Sequence, residues 1–408
     1  MPERRRGPLV PLVGARSLNT FGRALISATV YYELYQRTND NLVVAMVGLV
    51  QVIPVVLLFT WSGGLADRFD RRALTTAAAA TTGLVGVGLA VASATGAPLA
   101  AYFALLLLQG CVTSVHAPAS SSLIPLIMER GELERTNRIG SSLQELAAIL
   151  GPGLAGLLLW LIRAQWVYAI VAVTGLASAT LYRVLPAPRA VAPQPNARKD
   201  WRVGLRYIFR SPLLLPALTL DMFAVLFAGV TALLPALCEH VLHVGPIGYG
   251  VLRAAQSVGA VLAAVAASRL PAWRRPGRVL LIVVVLFGLA TIAFGLSTSF
   301  PLSVALLVLC GALDNISVVI RLTLEQMVVA DAIRGRVSAV HYVFIGMSNE
   351  LGGFESGLAA SLVGTVPAIV GGGAIAVIVV GFVAARWRAL AAMPPLSELV
   401  PPEPENDA

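Results

Sequence analysis

Gly63-Gly64-Leu65-Ala66-Asp67-Arg68-Phe69-Asp70-Arg71-Arg72 is a charged knot between two long apolar runs. The runs on either side, near 42–65 and 73–95, are each long enough for a membrane span, which needs about 20 apolar residues. Moving outward from the knot, further apolar runs lie near 17–36, 98–127, 138–162, 165–185, 212–237, 246–269, 278–298, 301–328, 337–362 and 365–387, twelve segments in all. Composition agrees: 57% of the 408 residues are hydrophobic and 12% charged, with a mean hydropathy of +0.80, against about a quarter charged in soluble domains. The expected class is an all-α integral membrane protein.

The start, Met1-Pro2-Glu3-Arg4-Arg5-Arg6, is basic, and no small-residue cleavage site follows it, so segment 1 is expected to be a retained signal anchor. Lys and Arg fall mostly on alternate loops. Arg37 and Arg163 lie on the opposite loops, and Arg23, Arg253 and Arg321 lie within segments. The positive-inside rule then puts both termini in the cytoplasm. The net charge of +9 is spread over these short loops, where it fixes topology and meets anionic lipid, so membrane lipid and not nucleic acid is the expected partner.

The chain repeats itself. Leu105-Leu106-Leu107-Leu108-Gln109-Gly110 aligns with Leu306-Leu307-Val308-Leu309-Cys310-Gly311, and the same register pairs Leu123 with Leu324, Arg135 with Arg336, Gly151 with Gly352 and Gly156 with Gly357. Two six-helix halves follow, 1–185 and 212–390. Parallel halves related by an axis along the membrane normal place a binding cavity between them, near the midplane. Residues 186–211 link them. This linker begins with Pro186, Pro188, Pro193 and Pro195, then places Arg202, Arg206 and Arg210 four apart beside Trp201, Leu205, Ile208 and Phe209, as a helix lying in the headgroup layer would. The tail 391–408 is rich in proline and acid and is expected to be disordered.

The opening stretch resembles the signature loop of the major facilitator superfamily, roughly G-x-L-A-D-R-x-G-R-R between the second and third helices. It matches at Gly63, Leu65, Ala66, Asp67, Arg68, Arg71 and Arg72, with Asp70 in place of a glycine. The resemblance implies twelve transmembrane helices in two pseudo-symmetric bundles, and a loop that latches the halves when the cavity faces outward. Asp67 ends an apolar helix at the unfavourable end of its dipole and so needs a cationic or N-terminal partner. Segment 11, starting near Arg334-Gly335-Arg336, offers one, and Gly63 and Gly64 allow close backbone approach. Topology anchoring alone would account for Arg68, Arg71 and Arg72, but not for Asp67 or the glycines. The corresponding loop of the second half, 269–278, keeps Arg274 and Arg275 and has no acid, so one latch is expected, with Arg336 as part of it.

A charge at the centre of a membrane helix costs about 2.5–3.5 kcal/mol on insertion scales and marks a cavity or a partner. Arg23, Glu145, Asp221, Arg253, Asp314, Arg321, Glu350 and Glu355 are such positions. Because the family lines its cavity mainly with segments 1, 4, 7 and 10, the resemblance singles out Arg23, Asp221, Asp314 and Arg321 for cavity and proton coupling, with Glu350 and Glu355 next. Asp314, Ser317, Arg321 and Glu325 share one helical face. An ion pair of Arg23 with Asp221 is geometrically allowed, as is Arg23 with Glu350 or Asp314. Tyr31, Tyr32, Gln51, His116, Asn315 and His341 are further cavity candidates.

Segment 4 keeps Gln109-Gly110, but Leu106 stands where one proton-coupled subset carries arginine. Gly151-Pro152-Gly153-Leu154-Ala155-Gly156 in segment 5 is similar to the antiporter motif of drug exporters, and ordinary close packing through Gly151, Pro152 and Gly156 explains it equally. Arg334-Gly335-Arg336-Val337-Ser338 and Ser348-Asn349-Glu350-Leu351-Gly352-Gly353-Phe354-Glu355-Ser356-Gly357 resemble the enterobactin-exporter, or transmembrane secretion effector, branch. That resemblance implies efflux of a siderophore or similar amphipathic small molecule across a bacterial cytoplasmic membrane, in exchange for protons, by a monomer. Uptake by the same fold, or a receptor that binds without transporting, stays open. No G-x-x-x-x-G-K-S/T loop is present, and Cys111, Cys238 and Cys310 have no metal-type spacing, so neither an enzyme, a cofactor nor a metal is expected.

Overall fold

The computed structural model describes residues 8–128, 132–187, 201–267, 269 and 273–399, without the side chains at 59–68, 134, 138, 141, 145, 201, 331, 332, 335, 339, 342 and 397. Its described residues are helical with no strand. The order is α1 Leu9–Thr38, α2 Asn41–Arg68, α3 Arg71–Thr95, α4 Leu99–Ile127, α5 Leu133–Leu161, α6 Ala164–Arg183, α7 Trp201–Arg210, α8 Leu214–Ala228, a 3-10 turn Thr231–Leu233, α9 Leu234–His240, α10 Gly245–Ala267, α11 Pro276–Leu296, α12 Phe300–Val328, α13 Asp331–Val363, α14 Thr365–Arg386, α15 Arg388–Ala391 and a 3-10 turn Leu396–Glu398. Among the described residues, ten stretches are long and apolar enough to cross a membrane. α1 and α13 have the length but carry more polar side chains, among them Arg16, Arg23 and Glu33 in the one and Asn349, Glu350 and Glu355 in the other. Leu57, Val173, Ile282, Ile378 and Phe382 are exposed on their helices. A lipid-facing surface requires this.

The chain forms two compact units. The first comprises Met1–Asn39, Leu49–Pro193 and His243–Ala254, and the second Asp40–Gly48, Gln194–Leu242 and Ala255–Ala408. In the first, α1 packs on α5 and α6, and α3 on α4 and α6. Gly83 and Gly175 let α3 and α6 touch backbone to backbone: a Cβ on Gly175 would meet Gly83 N at 2.5 Å. In the second, α11 packs on α12 and α14, and α8 on α13 and α14.

The internal repeat is built into the packing. Gly151 of α5 lies against Ala24 of α1, and Gly352 of α13 lies against Val225 of α8, each residue 201 further along the chain. Likewise Gly156 meets Pro246, and Gly357 meets Ala45. Because a Cβ on Gly156 would strike the Gly250 Cα and the Pro246 carbonyl, both backbone, nothing there can yield. Gly156→Val is expected to cost about 1–3 kcal/mol by overpacking, seen as a fall in thermal midpoint in detergent. Gly371→Ala and Gly381→Ala, with nothing within 4 Å of the new methyl, should leave it unchanged.

Three sequence expectations change. Segment 7 is not one helix: it breaks after Ala228, where Gly229 leaves helical geometry before the turn and α9. The tail was expected to be disordered from 391, yet α15 and residues as far as Leu399 are ordered. Met393 is buried, and Leu396 and Leu399 pack on the core of the second unit, because their apolar side chains find a hydrophobic surface there. Asp70, an apparent departure at a glycine position, caps α3 by accepting from the Arg72 backbone N–H at 2.8 Å.

Candidate functional site

The polar stripe foreseen on segment 10 is the organising feature of the second unit. Asp314 and Ser317 of α12 and Asp221 of α8 line one small pocket, walled by apolar side chains of α8, α11 and α12 including Val225, Val284, Phe287 and Leu313. One turn further along α12, Arg321 is 3% exposed and forms an ion pair with Asp221. Asp221 thus pairs with Arg321 of its own unit, a partner other than the Arg23 that the sequence allowed. Sequence distance hid this partner: Asp221 and Arg321 are a hundred residues apart, while the α12 spacing by itself placed only Asp314, Ser317 and Glu325 on the face of Arg321.

With both carboxylates ionised, Asp221, Asp314 and Arg321 together leave one negative charge uncompensated. In an apolar interior such a charge is expensive. A proton, or a cationic or hydrogen-bond-donating ligand, would relieve it.

The stripe continues to Glu325, also buried. Its carboxylate accepts from the Ser338 hydroxyl and the His341 ring nitrogen Nδ1 on α13. Glu325 and His341 were both visible as polar residues, but their pairing was not. Here the signal was recoverable: His341 and Ser338 sit three apart, on one face of the helix that follows α12.

Gly229, at the break after α8, leaves a carbonyl without a helical partner, and Ser356 of α13 donates to it at 3.1 Å. The same hydroxyl lies 3.4 Å from the Glu355 carboxylate. Interrupted backbone at membrane depth must be satisfied in this way, and interrupted helices are where transporters place ligand contacts. Glu355 and Glu350 are both half-buried on α13. The Glu350 carbonyl lies against Gly48 of α2.

In the first unit Arg23 is exposed on α1. Arg253 of α10 donates to the Ser27 hydroxyl at 3.1 Å and stands 6.0 Å from the Tyr31 ring centroid. Tyr249 donates to the Ala28 carbonyl at 2.9 Å, and its ring meets that of Tyr32 at 5.2 Å. His116 is buried, edge-on to Tyr182.

Sequence reasoning missed Glu33. Its carboxylate accepts from Ser93 at 2.7 Å, Tyr102 at 2.9 Å and Tyr168 at 2.8 Å, drawing α1, α3, α4 and α6 together. Arg37 donates to the Tyr102 hydroxyl at 2.9 Å and to the Ala97 carbonyl.

Of the proposed latch, the side chains of Gly63, Gly64, Asp67 and Arg68 lie outside those described. Arg71 is half-buried at the start of α3. Arg72 donates to the Leu185 carbonyl at 2.6 Å, closing the C-terminal end of α6, where a cation is favoured. The Arg336 carbonyl abuts Gly204 of α7.

The comparisons agree with this architecture. Residues 12–353 match the family model described as Major Facilitator Superfamily. "Enterobactin exporter EntS" of Citrobacter koseri is 27% identical over 332 residues, covering 80% of this chain and 79% of that protein. The protein of the same name from Escherichia coli O1:K1 is 28% identical over 280 residues, 68% and 67% of the two chains. Among solved structures, a bacterial homologue of the human lysosomal transporter Spinster superposes with a TM-score of 0.72 at 17% identity, covering 93% of this chain and 96% of that one. The nucleoside transporter NupG superposes with a TM-score of 0.71 at 14% identity, covering 95% and 98%. A motif loop, a twofold repeat preserved in contacts and a family match across most of its length place this chain in the major facilitator superfamily, as a multi-pass membrane transport protein.

Proposed function

We propose that this protein exports a small amphipathic molecule of the siderophore type from a bacterial cytoplasm, by alternating access, in exchange for protons. The observation that carries the coupling is the Asp221–Arg321 ion pair with Asp314 in the adjoining cavity. In this scheme Arg321 is the electrostatic anchor and Asp221 holds it in place. Asp314 is the carboxylate that gains a proton when substrate leaves and yields it when substrate enters. A phenolic or carboxylate-bearing cargo would compete with the acids for Arg321, which ties cargo binding to proton release. The cargo class rests on enterobactin exporters being among the relatives.

The test is transport of enterobactin into inside-out vesicles carrying the protein, with the lumen made acidic. Wild-type protein should accumulate it, and an uncoupler should abolish accumulation. Asp314→Asn should still allow exchange at equal concentrations on both sides while losing accumulation against a gradient, by at least tenfold. Gradient-driven accumulation by Asp314→Asn at the wild-type level would reject Asp314 as the coupling group. Binding without vesicle uptake would favour a receptor.

A further inference from the structure

The short helix α7 carries chemistry that export does not use. One face is docked. Gly204 sits so near the Arg336 carbonyl that a Cβ would meet it at 2.6 Å, Ile208 is buried in the core of the second unit, and the Tyr207 hydroxyl donates to the Val328 carbonyl at the end of α12. Burial raises the Tyr207 phenol above its ordinary pKa, so the donor stays protonated.

The other face is basic. Arg202, Arg206 and Arg210 are exposed and recur every four residues, which confines them to an arc of roughly 80° on the helix. Phe209, 58% exposed, lies on the same side. Only Ser211–Leu213 separate α7 from the membrane span that begins with α8, so the helix is tethered at the membrane boundary. Arg386 and Arg388, also exposed, sit beside Trp387 and Leu390, which belong to the same core as Ile208.

Guanidinium groups at this spacing offer forked donors that suit phosphate oxygens. An exposed phenylalanine among them suits the acyl boundary, where amphipathic helices settle. A basic cluster next to a membrane span recognises anionic lipid by charge.

We propose that the exposed face of α7 is a docking surface for anionic phospholipid, with Arg206 and Arg210 gripping the headgroup phosphate and Phe209 entering the acyl layer. Because the docked face touches the end of α12 and the start of α13, a lipid seated there braces the turn next to Glu325 and His341.

The experiment is binding of fluorescent phosphatidylglycerol and fluorescent phosphatidylcholine to the purified full chain in detergent micelles. Wild-type protein should prefer phosphatidylglycerol, and each arginine changed to glutamine should weaken that preference about fivefold. The variant Arg202→Gln, Arg206→Gln, Arg210→Gln should lose it almost wholly, with phosphatidylcholine binding unchanged. An undiminished preference in that variant would overturn the proposal. If that variant does not fold, the wild-type protein decides alone: raising salt from about 50 to about 500 mM should erode the preference by screening, and a salt-independent preference would overturn it. Displacement by millimolar glycerol 3-phosphate would show a site for free phosphate esters, and would equally reject a lipid surface.

Discussion

Asp221→Leu is expected to destabilise the protein by about 3–5 kcal/mol, because it strands the Arg321 guanidinium, 3% exposed, without its counter-charge. Arg321→Met should cost a similar amount by stranding Asp221. The double variant is the informative one. Replacing a buried ion pair by apolar side chains of similar size is often neutral or stabilising, so Asp221→Leu with Arg321→Met should recover most of the lost stability. Export should stay absent, since the anchor for the cargo has gone. Thermal or denaturant unfolding in detergent separates these terms, with vesicle transport measured on the same preparations. Single variants within about 0.5 kcal/mol of wild type would show that the pair carries no such burden.

The second large effect is at Glu33, far from the α12 stripe. Glu33→Leu leaves the hydroxyls of Tyr102 and Tyr168, whose side chains are fully buried, and of Ser93 without their acceptor. An unsatisfied buried donor costs about 1–3 kcal/mol, so the variant should lose several kcal/mol. Glu33→Gln, which keeps one acceptor oxygen, should lose less. Tyr168→Phe, which removes one bond and strands no donor, should cost about 1 kcal/mol. Equal losses for Glu33→Leu and Tyr168→Phe would show that the carboxylate does not join the four helices as the geometry indicates. The unfolding midpoints in detergent decide it.

How far the sequence could be read depended on whether a feature was local. The membrane class and the helix positions follow from runs of apolar residues, and the repeat from aligned residues such as Gly151 with Gly352. The polar face of α12 was legible because Asp314, Ser317, Arg321 and Glu325 obey one helical period. Partners on helices distant in the chain were not. Asp221 with Arg321, and Glu33 with hydroxyls 60 to 135 residues away, depend on which helices lie side by side, and a single helix's spacing carries nothing about that. The break after Ala228 was hidden as well, because residues 222–237 are apolar but for Thr231, and Gly229 alone does not announce an interruption. Asp70 shows the reverse: its capping role was in the sequence, an acid just before a helix, and was obscured by comparison with a glycine-bearing motif.

Alternating access through the cavity beside Asp314 is the claim on which the rest depends, and it is tested most directly at Ser317, which shares that cavity. With Cys111, Cys238 and Cys310 replaced by serine or alanine, Ser317→Cys would be exposed to a membrane-impermeant maleimide, in right-side-out and in inside-out vesicles, with and without a proton gradient. Labelling from both faces is expected, with the gradient shifting the balance between them. Labelling confined to one face under every condition would contradict it.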